Sequence, residues 1–327
     1  MKNITIKEIA QKSGTSIATV SRVMNNPEKV SEPVRNKILS VMEEYGYIQN
    51  RIAKGLVKGR SQVIAVVAPG EEEFFNAYYF KGLFFGIVNA ANRLGYNVMV
   101  NQLVRTGGCR NQFPVDGYIV ISPPVGDPFL KELRNIDIPV VLIGRKTDDI
   151  SYVDLDNIQA SFRMTSHLIE CGHDRIVILT GGKDIQNSAE RVTGYRKALD
   201  TAGIVPDDKY IIDCGFSEDT AYDKIGCILS EGMVFTAVMA CNDLMAIGAI
   251  RAIHERKLDV PEDISVTGFD DMDITSYFSP RLTTFSQPLS AMGEDSVRLL
   301  VGHIEGHITS PQGKEFTGMM ILRESHK

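Results

Sequence analysis

The sequence lacks any run of 18 or more apolar residues, which argues against a membrane-spanning helix. Its first residues are Met-Lys-Asn, so an apolar signal segment is also missing from the start. We therefore expect a cytoplasmic protein that has no membrane partner.

Signals for disulfides, metals and common enzymes are missing as well. The five cysteines are odd in number and are expected to share no CxxC or Cys/His metal spacing, so we predict reduced thiols and no structural zinc. The chain contains no nucleophile elbow, no P-loop and no Gly-x-Gly-x-x-Gly after the first predicted strand. We therefore predict no catalytic residue, no metal and no cofactor. Because the C-terminal residues lack a leucine heptad, tetramerisation through a coiled coil is not expected.

Charge is unevenly distributed along the 327 residues. Residues 1 to 60 contain 11 Lys and Arg and 5 acidic residues, a net charge of +6. The whole chain carries −6, so residues 61 to 327 carry −12. A basic N-terminal segment on an acidic body is expected when one domain binds nucleic acid phosphates and the other does not.

Residues 5 to 25 carry two short amphipathic helical patterns separated by Gly14. Gly14 permits a tight turn with a positive φ, and Ser16 is placed to cap a second helix that runs through Asn25. This arrangement predicts a helix-turn-helix. From these residues alone, a plain helical hairpin is the alternative.

On the second predicted helix, Val20, Val23 and Met24 are expected to face inward. The opposite face is available to base edges and phosphates of DNA. It carries Ile17, Ala18, Ser21, Arg22 and Asn25.

A third amphipathic helix is predicted from Glu32 to Tyr45, with Ser31 as its cap. Its inward residues are expected to be Val34, Ile38, Leu39, Val41 and Met42.

Residues 4 to 60 resemble the headpiece of the LacI/GalR family of bacterial transcription repressors. The resemblance rests on T-I-K-E-I-A, S-I-A-T-V-S-R-V-M-N, V-S-E-P-V-R and G-Y-I-Q-N-R-I-A-K-G-L. It implies double-stranded operator DNA as a partner and a hinge helix over residues 50 to 58, which folds on DNA and places Leu56 in the minor groove. Gly55 weakens this helix by about 1 kcal/mol relative to Ala, which suits an order-disorder switch. The residues implied to contact DNA are Thr5, Ser16, Ile17, Ala18, Thr19, Ser21, Arg22, Asn25, Ser31, Asn50, Ala53 and Leu56.

From residue 62 onward, short apolar strands alternate with helices, which is typical of parallel sheets covered on both faces. The predicted strands are 63–68, 96–101, 118–122, 139–143, 175–180, 210–214, 237–240, 265–268 and 317–322. The predicted helices are 79–94, 161–171, 190–202, 219–230, 244–255 and 290–305. Because the order begins again near residue 161, we predict an α/β fold of two doubly wound lobes with a ligand cleft at the carboxyl ends of the strands.

Polar segments in this body resemble the effector-binding core shared by LacI/GalR regulators and periplasmic sugar-binding proteins. The matching segments are 189–195, 241–243, 269–271 and 282–288. The resemblance implies Arg191, Asn242 and Asp270 as effector contacts, with Gln287 behind them. Arginine donors and aspartate acceptors suit the vicinal hydroxyls of a sugar.

Several other residues lie near the predicted cleft, and for the aromatic pair among them two interpretations are open. Tyr79 or Phe80 is implied to stack on a ligand ring, and an aromatic core patch fits both residues equally. Asp243 and Asp271 are expected to cap the helices that follow them. Gly144 stands where many relatives have an acidic ligand contact, which argues against an ordinary hexose.

Residues 102 to 116 are short for the helix of several turns that the family places there, and they contain Gly107, Gly108 and Pro114. We predict that the first lobe lacks one peripheral helix and has an open edge at this place.

These patterns predict a ligand-responsive transcription regulator, expected to repress a carbohydrate operon and to bind a palindromic operator as a homodimer. The alternatives are regulation by a protein co-regulator or by a non-sugar ligand and, more distantly, a sugar-binding transport protein. The predicted domains are a helix-turn-helix domain (1–48), a hinge (49–60) and an effector and dimerisation domain (61–327). Within the last, the first lobe comprises about 61–157 plus 285–318, and the second about 158–284 plus 319–327.

Overall fold

A computed structural model describes residues 4–47, 60–69, 78–103, 114–135 and 137–327. The chain divides into two compact units, residues 1–60 and residues 61–327. The proposed hinge lies outside the described residues except for Arg60.

The described part of the first unit contains three α-helices: α1 (Ile6–Ser13), α2 (Ile17–Asn25) and α3 (Glu32–Glu44). A capping box starts α1, because the Thr5 amide donates to Glu8 Oε2 (2.7 Å) while the Glu8 amide donates to Thr5 Oγ1 (3.3 Å). Gly14 ends α1 with φ 63°, and the Thr19 amide donates to Ser16 Oγ (3.1 Å) at the start of α2. The predicted turn and the Ser16 cap are confirmed.

A small apolar core holds these helices together and consists of Ile9, Ala10, Val20, Val23 and Ile38. Two predictions for α3 are wrong. Leu39 is 47% exposed, because it follows Ile38 at the centre of the buried stripe and is rotated off that face. Ser31 occupies the predicted N-cap position, but its side chain makes no capping hydrogen bond; Pro33 has no amide hydrogen, which leaves the Val34 amide as the one remaining donor for such a bond.

The described part of the second unit contains twelve strands and seven α-helices. The strands are β1 (Val63–Pro69), β2 (Asn97–Leu103), β3 (Gly117–Ile121), β4 (Val140–Ile143), β5 (Ser151–Leu155), β6 (Ile176–Thr180), β7 (Ile211–Asp213), β8 (Ala237–Ala240), β9 (Ser265–Thr267), β10 (Thr284–Ser286), β11 (Gly313–Phe316) and β12 (Met319–Ile321). The helices are α4 (Tyr78–Arg93), α5 (Pro128–Leu133), α6 (Asn157–Glu170), α7 (Gln186–Thr201), α8 (Glu218–Ser230), α9 (Asp243–Glu255) and α10 (Leu289–Ile304).

The strands form two parallel sheets and one ribbon. Six strands lie in the order β11-β5-β4-β3-β1-β2, and four lie in the order β7-β6-β8-β9. We call the six-stranded sheet with its helices lobe 1 and the four-stranded sheet with its helices lobe 2. β10 and β12 pair antiparallel in a separate ribbon. The predicted α/β architecture with two parallel sheets is confirmed.

The interiors of both sheets are mainly apolar, with a few buried polar residues such as Asp154 in β5 and Thr267 in β9. Every residue of β3 and of β6 is buried, as expected for strands covered by helices on both faces. None of the described helices has the length and apolar character needed to cross a membrane.

The structure differs from the prediction at several elements. The predicted strand 317–322 contains β12 (Met319–Ile321), whereas β11 (Gly313–Phe316) precedes this range, belongs to a different sheet and was not predicted. Helix α6 begins four residues earlier than predicted, because the Gln159 amide donates to Asp156 Oδ1 (2.9 Å) and caps it there. Strand β5 and helix α5 were not predicted.

The open edge of lobe 1 was predicted from the short segment that follows β2. β2 is the outer strand of the six-stranded sheet and pairs with β1 on one side. Residues 104–113 lie outside the described residues, so the missing peripheral helix stays a prediction.

Candidate functional site

One face of α2 is exposed and carries most of the proposed DNA contacts. Ile17 is 46% exposed, and Ser16, Ala18 and Arg22 are also exposed. Thr19 and Ser21 are partly exposed. Small apolar and hydroxyl groups beside an arginine can contact thymine methyls, base edges and phosphates.

The other proposed DNA contacts fall into two groups. Thr5 and Ser31 are exposed at the N-termini of α1 and α3, where backbone amides favour phosphate oxygens. The Asn25 side chain and the hinge residues lie outside the described part of the chain; the latter are Asn50, Ala53 and Leu56.

In the second unit, Arg191 lies on the first turns of α7 and is 3% exposed. Its Nε donates to Asn157 Oδ1 (3.0 Å), and its Nη1 donates to the carbonyl oxygen of Cys241. The guanidinium lies 3.7 Å above the Phe269 ring centroid. A buried arginine held this rigidly provides a fixed positive charge beside Cys241 and Phe269, which follow strands β8 and β9.

Asp270 and Gln287 form a buried pair next to this arginine. Gln287 Nε2 donates to Asp270 Oδ1 (2.6 Å), and each residue is 8% exposed. Burial raises the pKa of Asp270 to about 6, although the Arg191 charge and the Gln287 hydrogen bond oppose the rise. Asp270 has φ 114°, a strained conformation for a residue other than glycine. Such strain is frequent where a side chain must be aimed at a ligand.

Tyr79, on helix α4 of lobe 1, lies close enough to Arg191 and Asp270 for their charges to act on it. Burial raises its pKa, the Asp154 charge raises it further, and a hydrogen bond with Ser122 and the charge of Arg191 lower it. A Cβ atom at Gly144 would lie 2.9 Å from Ser122 Oγ and 3.0 Å from the Tyr79 hydroxyl. The glycine therefore leaves space for the Tyr79–Ser122 pair.

The sequence did not lead us to two polar residues near Arg191, namely Asp154 and Asn187. Asp154 is 2% exposed; its Oδ1 accepts from the Leu155 amide (2.8 Å), whereas its Oδ2 has no hydrogen-bond partner among the described residues. Burial, reinforced by the charge of Glu190, raises the pKa of Asp154 to about 7. Asn187 Oδ1 is likewise buried without a partner in the described chain. The sequence carries no clear signal for Asp154, because β5 also contains Ser151 and was not predicted as a strand.

The two lobes contact each other beside these residues. The Val125 amide donates to the carbonyl of Asp184 (2.9 Å), and the Lys146 amide donates to Gln186 Oε1 (3.2 Å). The Lys146 ammonium also lies 3.3 Å from Glu190 Oε2. The structure therefore presents the cleft with its two sides in contact.

Two residues proposed for the effector site have other roles in the structure. Phe80 is 7% exposed in the core of lobe 1 and stacks on Phe84 with ring centroids 5.4 Å apart. Asn242 caps α9, because the Met245 amide donates to its Oδ1 (2.8 Å) while its Nδ2 donates to the carbonyl of Phe216 (3.1 Å). Phe80 therefore belongs to the aromatic core patch that was the alternative to ligand stacking. The side chain of Asn242 already makes hydrogen bonds within the protein through both its oxygen and its nitrogen.

The predicted capping roles of the two neighbouring aspartates are wrong. Asn242 holds the cap of α9, and Asp243 instead accepts from Thr284 Oγ1 (2.6 Å) and from the Met272 amide (2.8 Å). Asp271 pairs with Arg323 at 2.6 Å. Both carboxylates thus tie the chain segments around β10 to lobe 2.

Comparison with known proteins agrees with both units. Residues 5–50 match the family of bacterial regulatory proteins of the lacI type, and residues 165–326 match a periplasmic binding protein-like domain. The HTH-type transcriptional regulator CelR of Thermobifida fusca is 32% identical over 98% of this chain and 98% of its own. Catabolite control protein A of Priestia megaterium is 32% identical over 99% of this chain and 100% of its own.

Two solved structures are similar over nearly the whole chain. A CelR–cellobiose complex matches with a TM-score of 0.76 and 30% identity over 99% of this chain and 100% of that one. The Lac repressor dimer bound to operator and the anti-inducer ONPF matches with a TM-score of 0.87 and 27% identity, over 99% of each chain. The curated relatives are transcriptional regulators rather than enzymes or transport proteins. With a helix-turn-helix unit, a two-lobed effector unit and relatives matched from end to end, this chain belongs to the lacI family of bacterial regulatory proteins and is a ligand-responsive, DNA-binding transcription regulator.

Proposed function

We propose that this regulator represses a carbohydrate operon by binding a palindromic operator as a homodimer, and that a sugar or sugar derivative between the lobes changes its operator affinity. The similarity to an operator-bound Lac repressor dimer and to a CelR–cellobiose complex supports this proposal. The protein would act in the cytoplasm, associated with the nucleoid through its DNA binding.

The exposed face of α2 supports the DNA part of the proposal. Ile17, Ala18 and Arg22 are exposed together on a helix of a basic segment whose net charge is +6. Two copies related by a twofold axis would place two such helices in successive major grooves, about one helical turn apart.

Two buried acceptor atoms that have no partner in the described part of the chain support the proposed effector site. Asp154 Oδ2 and Asn187 Oδ1 need hydrogen-bond donors, since buried polar atoms in folded proteins nearly always have partners. A polyol supplies a donor and an acceptor at every hydroxyl, so it can satisfy these oxygens and also accept from Arg191. An apolar ligand would leave the same atoms unpaired.

The effector can act only through unequal affinity for two arrangements of the lobes. We propose that the effector favours one distance between lobe 1 of one protomer and lobe 1 of its partner in the dimer. That distance would determine whether the hinge around Leu56 is ordered or melted. Release of DNA and strengthening of DNA binding are both consistent with this scheme.

Thermal-shift screening of sugars and sugar derivatives tests the effector site, because a ligand that binds the folded state raises the unfolding temperature. The wild type should be stabilised by at least one of them, and Asp154→Asn should lose that stabilisation. Asp219→Asn is the matched control, because Asp219 is 90% exposed on α8. Equal stabilisation of all three proteins would contradict the proposed site, and no stabilisation by any sugar would exclude this ligand class.

A further inference from the structure

Two histidines and a cysteine meet on lobe 2, remote from the cleft. His167 lies on the last turn of α6, ten residues or about 15 Å along the helix from Asn157. Cys171 follows it four residues later, so both side chains lie on one face. His326 reaches them from the residues after β12. The expectation that the cysteines share no Cys/His spacing is therefore wrong at His167-x3-Cys171.

The separations of the three side chains are close to those of a metal site. His167 Nε2 and His326 Nε2 are 2.8 Å apart, and Cys171 Sγ lies 3.8 Å from His167 Nε2. All three ligand atoms lie within 4.8 Å of one another. Tetrahedral zinc, with Zn–N of about 2.0–2.1 Å and Zn–S of about 2.3 Å, requires N···N of about 3.3 Å and S···N of about 3.6 Å. The two shorter separations differ from that geometry by about 0.5 Å or less, and the Cys171–His326 separation, at most 4.8 Å, must shorten by up to about 1.2 Å.

A hydrogen bond at Nδ1 of His326 holds the ring so that Nε2 faces His167. His326 Nδ1 lies 2.8 Å from Thr283 Oγ1, which also accepts from the Arg323 amide (2.7 Å). When Nδ1 donates to this hydroxyl, Nε2 carries the lone pair that a metal needs. Metal-ligating histidines usually have such an outer partner.

A neighbouring histidine, His173, uses both ring nitrogens in hydrogen bonds outside the cluster. His173 hydrogen-bonds through Nδ1 to Thr236 Oγ1 (2.9 Å) and through Nε2 to the carbonyl of Lys327 (3.1 Å). It is therefore unsuited to be a fourth ligand. Cys171 is exposed, so solvent can reach the fourth position of a tetrahedral ion.

We propose that His167, Cys171 and His326 form a zinc site whose fourth ligand is water and which ties the C-terminal residues to α6. One thiolate and two imidazoles are a donor set that zinc favours. Binding releases the Cys171 thiol proton and requires His167 to carry its proton on Nδ1. The competing explanation is a hydrogen bond between the two imidazoles that needs no metal.

Cobalt titration of the full, reduced and metal-free chain tests the site, because Co²⁺ replaces zinc and absorbs light through its thiolate bond. The wild type should show saturable thiolate-to-cobalt absorption with one ion per chain. Cys171→Ser should abolish the absorption, and His326→Ala should weaken cobalt binding at least tenfold. The matched controls are Cys227→Ser and His254→Ala, which change an exposed cysteine and an exposed histidine outside the cluster.

Two results of the cobalt titration would overturn the proposal. One is the absence of saturable absorption in the wild type. The other is equal absorption in Cys171→Ser, which would assign the metal to another cysteine. Zn²⁺ should also displace the cobalt and raise the unfolding temperature of the wild type but not of Cys171→Ser, and equal shifts in both would contradict the site. Unfolding temperatures without metal show that the variants are folded.

Discussion

At the scale of single residues, Gly144 determines how much space the proposed effector site has. Its φ is 74°, and a Cβ there would press on Ser122 Oγ and on the Tyr79 hydroxyl. Gly95 has φ 79° with no atom within 4 Å of its Cβ position, so it shares the backbone strain without the crowding.

Gly144→Ala and Gly95→Ala should therefore each lose about 1–2 kcal/mol from the left-handed backbone, and Gly144→Ala should lose more in total because its Cβ is also crowded. Only Gly144→Ala should also lose the stabilisation given by the effector, because Tyr79 and Ser122 must move apart. Urea unfolding with and without the responding sugar measures both effects. Undiminished sugar stabilisation in Gly144→Ala would remove Tyr79 from the site.

Asp243 makes stability depend on pH. It is fully buried, and burial together with the Asp270 charge raises its pKa to about 8 from the usual 3.8. Between these values the folded state keeps a proton that the unfolded state has released, so the free energy of unfolding falls as pH rises.

We expect Asp243→Asn to show a flatter pH profile than the wild type. Asparagine can still accept from the Met272 amide but cannot ionise. Relative to the wild type it should gain stability between about pH 5 and pH 8.5, by an amount on the order of several kcal/mol at about 1.4 kcal/mol per pKa unit. Urea unfolding at both pH values measures the difference, and parallel profiles would contradict the assignment.

At the scale of elements, α2 and α3 offer a matched pair of exposed apolar residues. Ile17 is 46% exposed on α2 and Leu39 is 47% exposed on α3. Only α2 is proposed to enter the major groove, where apolar side chains contact thymine methyls.

Ile17→Ala should weaken operator binding about tenfold, equivalent to about 1.4 kcal/mol. Leu39→Ala removes a similar apolar area and should leave operator affinity unchanged. Titration of both variants at fixed salt, with an operator selected from random DNA by the wild type, compares them directly. Equal losses would show that α2 is not the reading helix.

The elements that the sequence predicts well are those whose burial is continuous. The strand 237–240 was predicted at its observed limits, because all four residues of β8 are apolar and buried. β5 was missed because it buries Ser151 and Asp154 among apolar residues. α5 was missed because six residues beginning with a proline give too little periodicity.

The candidate site was only partly predictable for a related reason. Arg191, Asp270 and Gln287 lie in segments that resemble a known family and were proposed from that resemblance. Asp154 and Asn187 become site candidates only because the fold buries one oxygen of each, Asp154 Oδ2 and Asn187 Oδ1, without a hydrogen-bond partner among the described residues. Burial and the absence of a partner depend on residues distant in the chain, so no local pattern contains them.

At the scale of the whole molecule, the proposed hinge links operator binding to the effector unit. Leu56→Ala should weaken operator binding more than tenfold, because it removes the side chain proposed to enter the minor groove. Sugar stabilisation of the effector unit should stay near that of the wild type. Leu94→Ala, which changes a leucine 45% exposed after α4, is the control. Equal operator affinity of the two variants at fixed salt would refute the role of Leu56.

The most direct measurement of the central claim is the operator affinity of the full chain with and without the sugar that stabilises it most. The account predicts at least a tenfold change in Kd for the wild type, in either direction, and no change for Asp154→Asn. An unchanged Kd for the wild type, while the thermal shift shows that the sugar is bound, would contradict the account.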